Sequence, residues 1–130
     1  MVPQDLFSEC ANLYPIFRPC YPQALFQWLA VTTPRHERAW DCACGNGQAS
    51  VDLAEYFQEV IGTDLSGEQL QHAAPHNRVT YRVAVAESSG LPSAQFDLVT
   101  VAQALHWFDL KRFYAEVRRV LRPDGVLAVW

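Results

Sequence analysis

The stretch Trp40-Asp41-Cys42-Ala43-Cys44-Gly45-Asn46-Gly47 decides how this chain reads. Arg38–Cys42 predicts a strand that carries Asp41 near its end. Small residues and two glycines then turn the chain into a helix expected over Gln48–Phe57. A glycine-bearing strand-to-helix turn lets backbone N–H groups approach a ligand that side chains would hold off. A second strand, from Glu59, ends on Asp64, where a carboxylate is placed to accept hydrogen bonds from ribose hydroxyls. Turn and carboxylate together read as a nucleotide-type cofactor site on a doubly wound sheet.

Outward from this centre, strands and helices alternate. Ser66 and Gln69 form a capping-box pair for a helix that stops before Pro75. Val79–Val85, rich in β-branched residues, is a third strand and Phe96–Ala102 a fourth. Asp109 caps a helix ending near Leu121, with Arg118, Arg119 and Arg122 at its negative end. Pro123-Asp124-Gly125 reads as a turn and Val126–Trp130 as strand five. Upstream, Pro22 opens a helix with Leu25, Phe26, Trp28 and Leu29 at helical spacing, and Thr32-Thr33-Pro34 ends it. The 130 residues make one domain, with 1–35 an N-terminal lid and helix segment and 36–130 the core. The fold class is α/β, a doubly wound, mainly parallel, Rossmann-like sheet with right-handed crossovers. Ligands lie beyond the C-terminal strand ends of such sheets, so Asp41–Gly47, Asp64, Ala86–Glu87 and Gln103–Trp107 share one rim.

Composition narrows the function. Half the residues are apolar and 18% charged, which supports a packed core and argues against disorder. The net charge is −4 and no basic run is longer than Arg118-Arg119, so a nucleic-acid partner is not expected. No apolar run approaches the roughly 20 residues that span a bilayer, and no signal peptide is evident. Cys10, Cys20, Cys42 and Cys44 read as reduced thiols of a cytoplasmic protein. A metal site would have to combine Cys42 and Cys44 with His72 and His76. Their spacing is not that of a zinc knuckle, and Pro75 separates the histidines, so no metal is expected.

The chain resembles the class I S-adenosylmethionine-dependent methyltransferases, and within them the small-molecule branch with trans-aconitate-type enzymes. The resemblance rests on Tyr14…Arg18-Pro19…Tyr21-Pro22, Asp41–Gly47, Gly62-Thr63-Asp64, Ala86-Glu87…Leu91-Pro92, Phe96-Asp97-Leu98, Gln103–Phe108 and Arg119–Gly125, in the family's order. It implies S-adenosylmethionine as cofactor, S-adenosylhomocysteine as product and a small-molecule acceptor, with a carboxylate among the candidates. Asp41, Ala43, Gly45 and Gly47 would surround the methionine part, Asp64 the ribose, Leu65 the adenine face, and Ala86 and Glu87 the adenine edge. Gln103, Ala104 and His106 would lie beside the methyl group. Tyr14, Arg18 and Trp107 would form the lid or substrate side. Family members usually continue past strand five with a helix and a β-hairpin, so the sheet here reads as incomplete at the C-terminus.

Alternatives stand beside several of these assignments. His106 would suit a general base, yet beside Trp107 and Phe108 it would equally be a packed ring. Tyr14 and Arg18 would either touch the ligand or simply order the N-terminal loop. A nicotinamide-dependent oxidoreductase would want a third glycine where Ser50 stands. A cofactor-binding or regulatory fragment without turnover is the other alternative. Strand five would offer an apolar edge with unpaired backbone groups, through which a homodimer is expected.

Overall fold

The computed structural model describes residues 21–130. Helix α1 (Gln23–Thr32) leads into β1 (Arg38–Cys42), α2 (Gln48–Leu53), β2 (Glu59–Asp64), α3 (Gly67–Gln71) and β3 (Val79–Val83). Then come β4 (Phe96–Val101), a 3₁₀ turn (Leu105–Trp107), α4 (Leu110–Val120) and β5 (Leu121–Val129). The strands form one five-stranded sheet in the order β3-β2-β1-β4-β5, and every pairing is parallel. The order reverses direction at β1, so the crevice outside the ends of β1 and β4 is the natural ligand position on this sheet.

Period-two alternation along the central strands feeds two cores. Ala39 and Leu98 face a layer shared with Leu25, Phe26 and Leu29 of α1 and Leu53 of α2. Trp40 and Val99 face the other way, against Phe113, Val117 and Val120 of α4. All six residues of β4 are buried, as a strand covered on both faces requires. In α1, Leu25, Phe26 and Leu29 turn inward as their spacing predicts, whereas Trp28 faces out and is 53% exposed.

Three boundaries differ from the sequence expectation by more than one residue, each for a local reason. Helix α2 closes at Leu53, and Tyr56 and Phe57 both donate to the Leu53 carbonyl, so Phe57 is still delivered to the core by turns. Strand β3 stops at Val83, because Val85 leaves the sheet to bridge Ser88. Strand β5 begins at Leu121, not Val126: Leu121 pairs with Phe96 and Val126 with Leu98, so Arg122–Gly125 bulge within the strand. An edge strand tolerates this, since Pro123 has no N–H to offer a ladder. Beyond β4, β5 has no strand partner among the described residues, which is the edge on which association was expected.

At the N-terminal end of the sheet the buried Asp97 is fully engaged. Its carboxylate accepts the Glu37 and Arg38 amides at 2.9 and 3.0 Å and the Arg122 guanidinium at 3.0 Å. It thereby fixes the start of β1 against β4 and the β5 bulge. Glu116 of α4 does the same for the Ala86–Leu91 loop. It accepts from the Ser89 amide and hydroxyl and from Arg119, which holds its carboxyl at about 2, below the usual range.

Replacing Asp97 with Ala should cost about 3–5 kcal/mol, the scale for breaking a buried ion pair, read as a fall in the urea midpoint. Glu116 has a lowered folded-state pKa, so its contribution is complete above 4.5 and is lost as pH falls towards 2. The variant Glu116→Gln should flatten that acid limb of stability against pH.

Candidate cofactor site

The turn after β1 is built from backbone conformations that few side chains accept. Gly45 and Gly47 lie at φ +54° and +79°, and Ala43 sits in the same left-handed region at φ +56°. Ala43, expected from the resemblance to surround the cofactor's methionine part, thus holds a backbone conformation that costs an alanine energy and that the surrounding bonds must maintain. Those bonds are present. The Cys44 amide donates to the Thr63 carbonyl at 2.9 Å, and the Gly45 amide to the Asp64 carboxylate at 2.8 Å. The other Asp64 oxygen accepts the Ser66 amide at 2.9 Å. A carboxylate has roughly four acceptor positions, so two amides leave capacity for hydroxyls.

Two adjoining cavities open on this rim. One, of about 230 Å³, is lined by Tyr21, Asp41, Ala43, Cys44, Gly45, Asn46, Gln48, Ala49, Gln69 and Ala102. The other, of about 550 Å³, is lined by Cys42, Ala43, Asp64, Leu65, Ala84, Ala86, Glu87, Ala102, Gln103, Ala104, Trp107 and Phe108. Ala43 and Ala102 line both, so the cavities meet between β1 and β4. A Cβ built on Gly45 would meet no atom within 4 Å: the turn leaves open space there, as a cradle for a ligand requires.

Asp41 is buried and lies where the smaller cavity meets the sheet. Ser50 donates to one oxygen at 2.6 Å and Thr100 to the other at 3.0 Å. Burial pushes its carboxyl up to about 6; the two hydroxyl bonds oppose the rise and the nearby Asp64 charge adds to it. Among the described residues lining the cavities, the ionisable carboxyls are Asp41, Asp64 and Glu87, and none is Lys, Arg or His. The lining therefore favours a cationic ligand.

The rim brings together Asp41, Ala43, Gly45, Asp64, Leu65, Ala86, Glu87, Gln103 and Trp107 as the sequence expectation has it. Gly47 lines neither cavity. It serves the turn from behind, since a Cβ there would run into the Tyr81 hydroxyl. Glu87 lines the larger cavity, but one of its oxygens accepts the Asp109 amide at 2.8 Å and so joins that wall to the start of α4. Gln103 adopts φ +57°, and its backbone N–H donates to the Trp130 carbonyl at 2.6 Å. His106 is exposed, with its ring 4.7 Å from that of Trp107, and it lines neither cavity. Tyr14 and Arg18 lie outside the described residues. Among those described, no group of three or more His, Cys, Asp or Glu side chains is placed to hold a metal ion.

Sequence reasoning missed Ser50, Thr100, Gln48 and Gln69. Thr100 left a signal: it is the one hydroxyl inside the otherwise apolar run Leu98–Ala102, one residue from a strand end on the predicted rim. Ser50 was noticed only as a missing glycine. Its role is to hold Asp41.

Comparison with known proteins bears on this site. A family model described as "Methyltransferase domain" matches residues 40–129. A Dictyostelium discoideum protein designated a methyltransferase is 42% identical over 97% of this chain and 48% of its own length. A solved structure from Anaeromyxobacter dehalogenans, designated a type II methyltransferase, superposes with a TM-score of 0.84 at 54% identity, over 88% of this chain and 48% of that one. Geranyl diphosphate methyltransferase, solved in complex with S-adenosylmethionine, shares the fold with a TM-score of 0.73 at 20% identity, over 84% of this chain and 48% of that one. The chain spans about half the length of the curated relatives it matches.

Asp41 has a folded-state pKa of about 6 against 3.8 for the ordinary group, so the folded protein holds this proton more tightly than the unfolded chain. Ionising it costs stability progressively from pH 4 to 6 and by a constant amount above. Asp41→Asn should be more stable than the parent at pH 7.5 by about 1–3 kcal/mol, with the difference vanishing below pH 4 in urea titrations at each pH.

Proposed function

The chain belongs to the methyltransferase-domain family, and on that premise we propose that it carries out methyl transfer from S-adenosylmethionine to a small-molecule acceptor. The observation that carries this reading is the Asp64–Gly45 hydrogen bond at 2.8 Å, which ties the acidic end of β2 to the glycine turn where the two cavities adjoin. A ligand with a ribose at Asp64 and an amino-acid end against Ala43–Gln48 matches that pair of walls in order.

In this reading Asp64 accepts the ribose hydroxyls with the acceptor capacity its two amide bonds leave. Leu65 and Ala86 lie against the base, and Ala43, Gly45, Asn46 and Gln48 surround the amino-acid end. Bound there, the cofactor supplies a methyl group already activated on a sulfonium, so the protein needs neither a nucleophile nor a metal. The work left to the chain is to orient donor and acceptor and to exclude water. Asp41 and Asp64 provide the negative surroundings a sulfonium and an ammonium prefer. The acceptor would approach past Gln103 and Trp107. A carboxylate acceptor would depend on Arg18, because the described lining holds no cation. Cytoplasmic residence fits the same reading, since Cys42 and Cys44 are free thiols. No described helix is long and apolar enough to cross a membrane.

Two rival readings are separable. For a nicotinamide enzyme, Ser50 occupies the third-glycine position, and its hydroxyl is committed to Asp41. For a fragment that binds without turnover, the cofactor affinity would be normal and only transfer absent. Parallel titration calorimetry with S-adenosylmethionine and NAD tests the first. A methyl-transfer assay, with a longer chain alongside, tests the second. Asp64→Ala should weaken S-adenosylmethionine binding by about 2–3 kcal/mol, the scale for hydrogen bonds to a charged group. An unchanged dissociation constant would remove Asp64 from the site, and tighter binding of NAD would overturn the reading.

A further inference from the structure

We propose that Tyr81, which lines neither cavity, is the positioning residue of the glycine turn and sets affinity for the amino-acid end of the cofactor; this rests on the methyltransferase reading above. Tyr81 stands in β3 directly opposite Gly62 of β2. Its ring lies where a Cβ on Gly62 would meet Cδ1 at 2.9 Å and a Cβ on Gly47 would overlap the ring edge and hydroxyl. Both glycines thus leave the space this ring occupies. The Tyr81 hydroxyl donates to the Ala74 carbonyl at 2.6 Å, and the Ala74 amide donates to the Asn46 carbonyl at 2.9 Å.

This chain of bonds reaches the turn at Asn46, one residue past the Gly45 that Asp64 holds. Asp64 and Thr63 hold Cys44 and Gly45, at the front of the turn. Beyond them lie Asn46 and Gly47, and a glycine with positive φ does not fix its own conformation. Gly47 donates to the Cys44 carbonyl at 2.9 Å and accepts from the Val51 amide at 3.0 Å, both bonds local to the turn and its helix; the Tyr81–Ala74–Asn46 relay adds the anchor from a neighbouring strand. Asn46, the residue this relay reaches, lines the smaller cavity, whereas Asp64, Leu65 and Ala86 line the larger. Loosening Tyr81 should therefore be felt at one end of the cofactor and not the other. Burial raises the phenol to about 12, so it remains a donor throughout the neutral range.

The test compares S-adenosylhomocysteine, which has the amino-acid end, with 5′-methylthioadenosine, which lacks it, in calorimetric titrations of the whole chain and of Tyr81→Phe. The phenylalanine keeps the ring over both glycines and removes only the hydroxyl. S-adenosylhomocysteine should bind about fivefold more weakly, the scale of one hydrogen bond, while methylthioadenosine changes by less than twofold. Amide hydrogen exchange of the ligand-free protein should speed up at Gly47 in the same variant. A second variant, Ala74→Pro, deletes the amide that reaches Asn46 and leaves Tyr81 in place; it should show the same selective loss, and it decides the matter if Tyr81→Phe does not fold. Equal weakening of both ligands, or no weakening of either, overturns the proposal. A parent chain that binds neither ligand would instead overturn the reading on which it rests.

Discussion

The rest of the site depends on one carboxylate, that of Asp64, accepting two backbone amides at once. Its bond to Gly45 holds a turn that contains three left-handed residues, one of them an alanine. Its bond to Ser66 sets the start of α3, whose Gln69 reaches the smaller cavity. A turn made of glycine and small residues has few side-chain contacts of its own, so its shape must come from bonds to neighbouring strands. Here they come from the end of β2 and, through Ala74, from β3.

Asp41 shows the cost of the arrangement. A buried carboxylate with two hydroxyl partners and no cation is raised towards neutrality, and Asp64 raises it further. Asp97, equally buried, has Arg122 and two amides, and it closes the opposite end of the sheet. Two acids in one sheet therefore have different tasks: Asp97 is satisfied where it stabilises the fold, and Asp41 is left short of a partner where a ligand would sit.

Much of this was legible in the sequence because it follows from strand period and glycine placement. The bounds of β1 and β2, the Ser66 and Asp109 caps and the rim positions of Asp41 and Asp64 needed no tertiary information. What escaped depends on contacts distant along the chain. The Ser50 and Thr100 bonds to Asp41 cross two elements, the Glu116–Ser89 pair joins α4 to a loop 27 residues away, and Tyr81 looks in the sequence like any strand tyrosine. The β5 bulge was misread because Pro-Asp-Gly is strong turn chemistry, and only an edge position lets a strand run through it. Trp28 was misplaced for a different reason: helical spacing gives a stripe, and its margin is decided by what packs there.

The distribution of charge has a kinetic consequence. The sheet's N-terminal end neutralises its buried acid with arginine, while the rim at its C-terminal end presents carboxyls with no basic side chain among the described lining. Among the described residues, the mouth of the cavities is therefore a negative patch. Such a field draws a cation in before any contact forms and favours its capture at low ionic strength. At physiological salt the Debye length is about 8 Å, so the attraction then works over the last stretch of approach. Under the proposed methyl transfer, a product that has surrendered its positive sulfur would be held less strongly by the same field. In the proposed reaction the carboxyls would therefore favour the donor over its product at the same site.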